Sequence, residues 1–428
     1  MPRTFLIASL IGFLFVLNAR RTLRLQLLLV PAFFASWVVT ELAPQLLVLH
    51  LVGVAYFVIE GGAGEWPGWI ALAVSALSAV ILVGFVREAR RVGKRFDDVM
   101  TAAIGPASAR KPVAWREFVF PFKLWSHKVR RERNIAYADP GTRRHRLDVW
   151  HSVEDSTDRP CLLYVPGGAW IVGVSNKNHQ AKPLLIEMAS HGWVCFVMNY
   201  PVAPRSHFPA HIIAVKRAIA WVKEHAREYG GDPNFVMVGG NSAGGHLSSL
   251  AALTPNDPTY QPGFEDADTT VQAAAPFYGV YDMSGAVLDQ LPRVARRQKK
   301  GMLRFLQFTV FGRRLRSDRE LFEHASPILR VGPQAPPFLV IHGANDTLAL
   351  VEEARLFVDR LREQSREPVI YVELPGTQHA FDQFLSIRAL YAVRAVTRFG
   401  EWAFARFKNG ARPEQPSDQA ARSPTSPP

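Results

Sequence analysis

With 428 residues, 48% of them hydrophobic, the chain can bury a large core and has room for more than one unit. Its formal net charge of +13 would suit a nucleic-acid binder, but no Lys/Arg-and-aromatic module of the usual kinds is present, and the basic residues cluster beside apolar segments as on chains that meet an anionic membrane surface. The two cysteines, Cys161 and Cys195, each lie inside an apolar strand-like run, which argues against a disulfide framework or a zinc site and for two buried thiols.

Residues 5–17 form an apolar run that is too short, at ~20 Å of helix, to cross a ~30 Å hydrocarbon layer unaided. No A-x-A-like cleavage site follows it, so it is a poor cleavable signal. Residues 27–59 are long enough to span but are interrupted by Glu41 and Pro44, which predicts either one kinked crossing or a tight hairpin of two short helices. Residues 70–86 are a cleaner span, with Trp66 and Trp69 at one end and Arg87 at the other as interface anchors. A multi-pass membrane region of two to four helices over residues 1–95 is the expectation. Arg20, Arg21 and Arg24 precede the long segment, and Arg87, Arg90, Arg91, Lys94 and Arg95 follow the last. If both clusters face the cytoplasm, an even number of crossings separates them. One kinked crossing plus the span over 70–86 satisfies this, with Glu60 and Glu65 outside and the rest of the chain inside.

Residues 96–133 turn mixed and aromatic, with Pro112, Trp115, Pro121 and Trp125, and read as a linker and lid segment. Strand signals then follow at 134–138, 146–151, 161–165, 194–200, 235–238, 273–278, 337–341 and 369–374. Helical patterns occupy 212–229, 351–364 and 384–407. Strand alternating with helix predicts an α/β unit over residues 134–408, a mostly parallel sheet covered on both faces. An insertion at about 283–325 reads as a cap. Residues 409–428, rich in Pro, Ser, Gln and Ala, are expected to be disordered.

The chemistry centres on Gly240-Asn241-Ser242-Ala243-Gly244, a G-x-S-x-G run between a short apolar strand and a helical stretch. On such a turn the serine hydroxyl stands clear of the sheet, and the flanking glycines allow close backbone packing. A serine is a weak nucleophile without a base, and the base needs orienting. Asp346 and His379 each follow a later strand, in the order Ser, Asp, His that this arrangement requires. Asp282 and His342 compete for the acid and base positions and are read as structural. Pro166-Gly167-Gly168-Ala169-Trp170 follows the strand over 161–165 and supplies an oxyanion loop, with the amides of Gly168, Ala169 and Ala243 as donors.

Several motifs together resemble those of the hormone-sensitive-lipase-like esterases. They are Asn199-Tyr200-Pro201-Val202-Ala203-Pro204, Gly230-Gly231-Asp232-Pro233, the G-x-S-x-G turn, Phe277-Tyr278-Gly279-Val280-Tyr281-Asp282, and the loops carrying Asp346 and His379. The resemblance covers residues 134–407 and implies an α/β-hydrolase fold and a carboxylesterase akin to actinobacterial enzymes of the lipase type. Two positions depart from the family pattern: Pro166 stands where a His begins the oxyanion motif, and Asn241 where an Asp precedes the nucleophile.

Residues 285–319 carry Arg293, Arg296, Arg297, Lys299, Lys300 and Arg304, followed by Leu303, Phe305, Leu306, Phe308, Val310 and Phe311. This composition fits either a helix at a lipid interface or a cap with its apolar side turned inward. Trp170, Phe305, Phe308 and Phe311 are the candidate acyl-pocket or lid residues. The expectation is a membrane-bound serine esterase acting on a small-molecule or lipid ester without cofactor, metal or nucleic acid. Transfer of the acyl group to another alcohol or amine would make the same triad an acyltransferase. Pro166 and Asn241 are the features that would suit a catalytically silent membrane scaffold.

Overall fold

Eight strands pair into one sheet in the computed structural model, which describes residues 1–22, 29–106, 112–138, 142–154, 156–178 and 180–410. The strands are β1 (Val129–Ala136), β2 (Arg146–Ser152), β3 (Arg159–Val165), β4 (Val194–Met198), β5 (Gly231–Asn241), β6 (Ala273–Phe277), β7 (Phe338–Gly343) and β8 (Val369–Leu374). Their order is β1-β2-β4-β3-β5-β6-β7-β8. The β1-β2 and β2-β4 pairs are antiparallel, and every later pair is parallel. The tail beyond residue 410 lies outside the described residues.

The helices of the chain are α1 (Pro2–Arg20), α2 (Leu29–Glu41), α3 (Ala43–Ile59), α4 (Trp66–Ile104), α5 (Trp115–Phe118), α6 (Lys182–Ser190), α7 (Ala210–His225), α8 (Ala243–Leu253), α9 (Arg293–Phe305), α10 (Arg319–His324), α11 (Val351–Gln364) and α12 (Ile387–Lys408). The sheet is buried on both faces, and the period of two in its strands shows how. Cys161, Leu163 and Val165 of β3 face a core shared with α7, α8 and α11, while Leu162 and Tyr164 face one shared with α6, α12 and the end of α4. The two cysteines are buried free thiols in these opposite layers.

The N-terminal helices depart from the sequence reading at two places. The first apolar run is a 19-residue helix, α1, apolar and long enough to cross a membrane. Helix α4 also passes that test and does not stop at the expected linker. It runs 39 residues, and its last turns bring Val92, Phe96 and Met100 into the core of the α/β unit. Between them, α2 and α3 meet at 88°, a sharp break in the stretch expected to be one kinked crossing or a tight hairpin. Pro44 starts the new helix, and Glu41 ends the old one by turning into the α/β unit. There its carboxylate accepts a hydrogen bond from Ser386 Oγ at 2.7 Å and lies 3.7 Å from the Arg388 guanidinium.

Contacts fix the relative directions of α1, α3 and α4. Ser9 meets Ser75 at 3.0 Å and Arg20 meets Glu88 at 3.5 Å, so α1 and α4 run parallel. Helix α3 returns against them: Leu46 packs near Val16 and Leu82, His50 Nε2 lies 2.9 Å from Ser75 O, and Phe57 stacks on Phe5.

Candidate active site

The turn after β5 holds Ser242 at φ 54, ψ −118, a conformation unfavourable for any residue with a Cβ. It persists because the surroundings over-determine it. Ser242 N donates to Phe277 O on β6 at 3.0 Å, and α8 begins at the next residue. A Cβ on Gly244 would lie 1.8 Å from Val165 O, so only glycine lets α8 pack this closely on β3.

Asp346 and His379 come from the loops after β7 and β8, at the same edge of the sheet. His379 Nδ1 is 2.6 Å from Asp346 Oδ2, and both side chains are buried. Asp346 Oδ1 accepts from the amides of Leu348 and Ala349, each at 2.8 Å. Burial alone would raise the Asp346 pKa, but the His379 and His342 imidazoles outweigh it and hold the carboxyl below its ordinary value. The Gln378 side chain ties the two loops together, accepting from Thr347 N at 2.8 Å and from His379 N at 3.0 Å.

The competitors have other work. His342 Nε2 lies 3.2 Å from Ala349 O and 3.3 Å from Asp346 Oδ2, beneath the acid and away from the cavity. The Asp282 carboxylate accepts from the amides of Ser284, Gly285 and Val287 and so shapes the entry to the cap.

In the loop after β3, Gly168, Ala169 and Trp170 all have positive φ, at 119°, 53° and 58°. This folds the chain back so that Gly168 and Ala169 line one cavity with Ser242 and His379. Among the described residues, neither of their amides meets a backbone carbonyl. A Cβ at Gly168 would come 2.5 Å from Ser175 N, so this position too requires glycine. Ala243 is buried under the turn, and as the first residue of α8 its amide has no acceptor within the helix.

Gly167 serves as the tether of that loop. Its amide is shared between Asn241 Oδ1 and Gln180 Oε1, both at 2.7 Å, and Gln180 Nε2 returns a bond to Gly167 O at 3.1 Å. Asn241 Nδ2 donates to the Tyr278 hydroxyl at 3.1 Å, which in turn donates to Asp382 Oδ1. The Tyr278 ring lies 4.4 Å from that of His379. Burial raises the pKa of both Tyr278 and Asp382, and the phenol stays protonated. Of the two departures from the family pattern, Asn241 couples turn to loop through its side chain, while Pro166 contributes a backbone carbonyl that accepts from Tyr200 OH at 2.8 Å.

The cavity holds about 960 Å³, at the upper end of the ~300–1,000 Å³ common for ligand sites. Of the candidate acyl-pocket or lid residues, Trp170 and Phe305 line it, and Phe308 and Phe311 do not. Phe311 stacks on Phe322 at 3.8 Å inside the core, and Phe308 is 72% exposed. The basic run on α9 is not a purely solvated face either. Lys299 is buried, donating to Asp282 O and Glu353 Oε2, and so pins the cap to α11. Gln180, Tyr278 and Asp382 were outside the sequence-derived site, as were the α2 residues Phe33, Phe34 and Trp37 that line the cavity. Tyr278 sat inside a family motif; the others carry no local signal. Among the described residues, no cluster of His, Cys, Asp or Glu is grouped as metal ligands would be.

The chain resembles known proteins in sequence and in fold. The BD-FAE family profile matches residues 147–361. The chain is 43% identical over 353 residues to a Mycobacterium tuberculosis protein named "probable carboxylic ester hydrolase LipM", covering 79% of each chain. It is 45% identical over 262 residues to esterase LipQ of the same organism, covering 61% of this chain and 60% of that one. The fold is that of a solved thermophilic esterase from Thermogutta terrifontis, at 21% identity and TM-score 0.51 over 66% of this chain and 96% of that one. The chain therefore belongs to the hormone-sensitive-lipase-like carboxylesterases, a family of carboxylic ester hydrolases built on the α/β-hydrolase fold.

Proposed function

We propose that the protein hydrolyses carboxylic esters through an acyl-enzyme on Ser242. Ser242 Oγ attacks the ester carbonyl and passes its proton to His379 Nε2, while Asp346 holds Nδ1–H and stabilises the imidazolium. The amides of Gly168, Ala169 and Ala243 receive the negative charge on the carbonyl oxygen. The C–O bond breaks, and the alcohol leaves with the proton from His379. Water then attacks the acyl-enzyme and gives a proton to His379, which returns it to Ser242 Oγ as the acyl C–O bond breaks, releasing the carboxylic acid and the free serine. The observation that carries this reading is the 2.6 Å His379–Asp346 pair opening onto the same cavity as a serine held at positive φ. A small fluorophosphonate is expected to form one adduct, on Ser242, and none with Ser242→Ala. Labelling elsewhere, or none in the wild type, would refute the assignment.

The same reading includes a membrane. Helices α1, α3 and α4 cross it in alternating contact, with α2 lying at the side where the α/β unit sits. That side carries Arg20, Arg21, Arg87, Arg90, Arg91, Lys94 and Arg95, against Arg3, Glu60 and Glu65 on the other, which favours a cytoplasmic catalytic unit. This replaces the single kinked crossing of the sequence reading with α3 alone, since α2 turns aside, and adds α1. With both native thiols buried, a Glu65→Cys variant in intact cells should react with an impermeant maleimide and an Arg91→Cys variant should not. The opposite pattern would invert the topology.

A further inference from the structure

Helix α2 is part of the active site. Phe33, Phe34 and Trp37 line the cavity that holds Ser242 and His379, together with Leu29 and Val30. Trp37 Nε1 donates to the carbonyl of Ala380, the residue after His379, at 2.8 Å, and its ring stacks on Phe384 at 4.5 Å. Phe33 presents its ring edge-on to His379 at 6.2 Å. At the end of the helix, Thr40 O accepts from Arg388 at 2.9 Å beside the Glu41 contacts described above. The helix is therefore fixed to the catalytic unit at both its middle and its end.

The rim of the cavity is apolar and open. Val30 and Phe34 line it while staying 55% and 51% exposed, and Val294 of α9, facing them, is 61% exposed. Arg293 and Arg297 of α9 also reach the lining and are exposed. Residues Val39 and Ala43, around the bend, pack with Val16, Ala19, Leu82 and Phe85, so α2 sits at the level of Arg20 and Arg87, where the crossing helices end. Beyond the bend, α3 exposes Val48, Leu49, Val52 and Ile59 in the direction of the bilayer. In the membrane placement proposed above, an apolar mouth at that level would face acyl chains, with arginines at its edge at headgroup height.

We infer that the substrate is a long-chain ester resident in the bilayer, which enters sideways between α2 and α9. Its chain lies along Phe33, Phe34 and Trp37, and its polar end sits near Arg293 and Arg297. This rests on the Ser242 reading above and specifies its substrate. The test uses the full chain in phosphatidylcholine vesicles. The kcat/KM ratio of p-nitrophenyl palmitate to p-nitrophenyl butyrate is expected to exceed ten, to follow the mole fraction of palmitate ester in the bilayer, and to fall at least tenfold in Phe34→Asp. A ratio below one, or one that Phe34→Asp leaves unmoved, would overturn it. A hexadecyl fluorophosphonate with a mid-chain diazirine covers the case of a misfolded variant. Its adduct on Ser242 should crosslink to residues 29–37 on illumination. An adduct without those crosslinks sinks the lateral route alone, whereas no adduct at all sinks the nucleophile with it.

Discussion

Ser242→Ala and His379→Ala are each expected to lower kcat for a soluble ester about a million-fold, and the double variant to be no slower than either. Proton transfer to His379 has no purpose without the Ser242 hydroxyl, and the hydroxyl cannot attack while its proton has nowhere to go. The two side chains line one cavity, from loops after β5 and β8, and in the proposed mechanism they act as one unit. The activity that remains should reflect the Gly168, Ala169 and Ala243 amides, which neither change touches. Steady-state turnover of p-nitrophenyl butyrate by the three variants checks this. Losses that multiply would mean that the two residues act independently, contrary to the mechanism.

Asp346→Asn is expected to cost about 10⁴-fold in kcat with the fold intact. Asp346 Oδ1 is committed to the Leu348 and Ala349 amides, so an asparagine would keep its oxygen there and turn its NH₂ toward His379 Nδ1. Two donors cannot share that 2.6 Å contact, so the imidazole would shift its proton to Nε2 and lose the lone pair that accepts from serine. The same NH₂ would face His342 Nε2, which already approaches Ala349 O. Fluorophosphonate labelling should slow in parallel with turnover while circular dichroism stays unchanged. The variant should also lose less stability on acidification. The Asp346 pKa is lowered by folding, so its contribution is present above the unfolded value of ~3.9 and is lost as pH falls through the folded one.

The three side chains of the proposed triad were legible in the sequence because each follows a short apolar run that its length and flanking Gly and Pro mark as a buried strand. Strand ends in a parallel sheet share an edge, and residues just past them are brought together by topology alone. The position of α2 was not legible. Leu29, Val30, Phe33 and Phe34 read the same whether they face lipid or a cavity, and it is the contacts of Trp37, Thr40 and Glu41 with residues 380–388, far along the chain, that decide it. Phe308 and Phe311 illustrate a similar degeneracy, since a basic and aromatic composition does not say which ring turns inward. Lys299 is buried because Glu353 and the Asp282 carbonyl, distant in sequence, converge on it. Helix α6 escaped notice because its nine residues are too few to display a period.

The docking of the N-terminal helices bears on how the enzyme is prepared for study. A version cut after Ile104 would strip the core of Val92, Phe96 and Met100, uncover the cavity and strand Arg388 without its carboxylate. Such a trimmed form would be a different catalyst, and chain-length preferences or inhibitor rankings obtained with it would not transfer to the full chain.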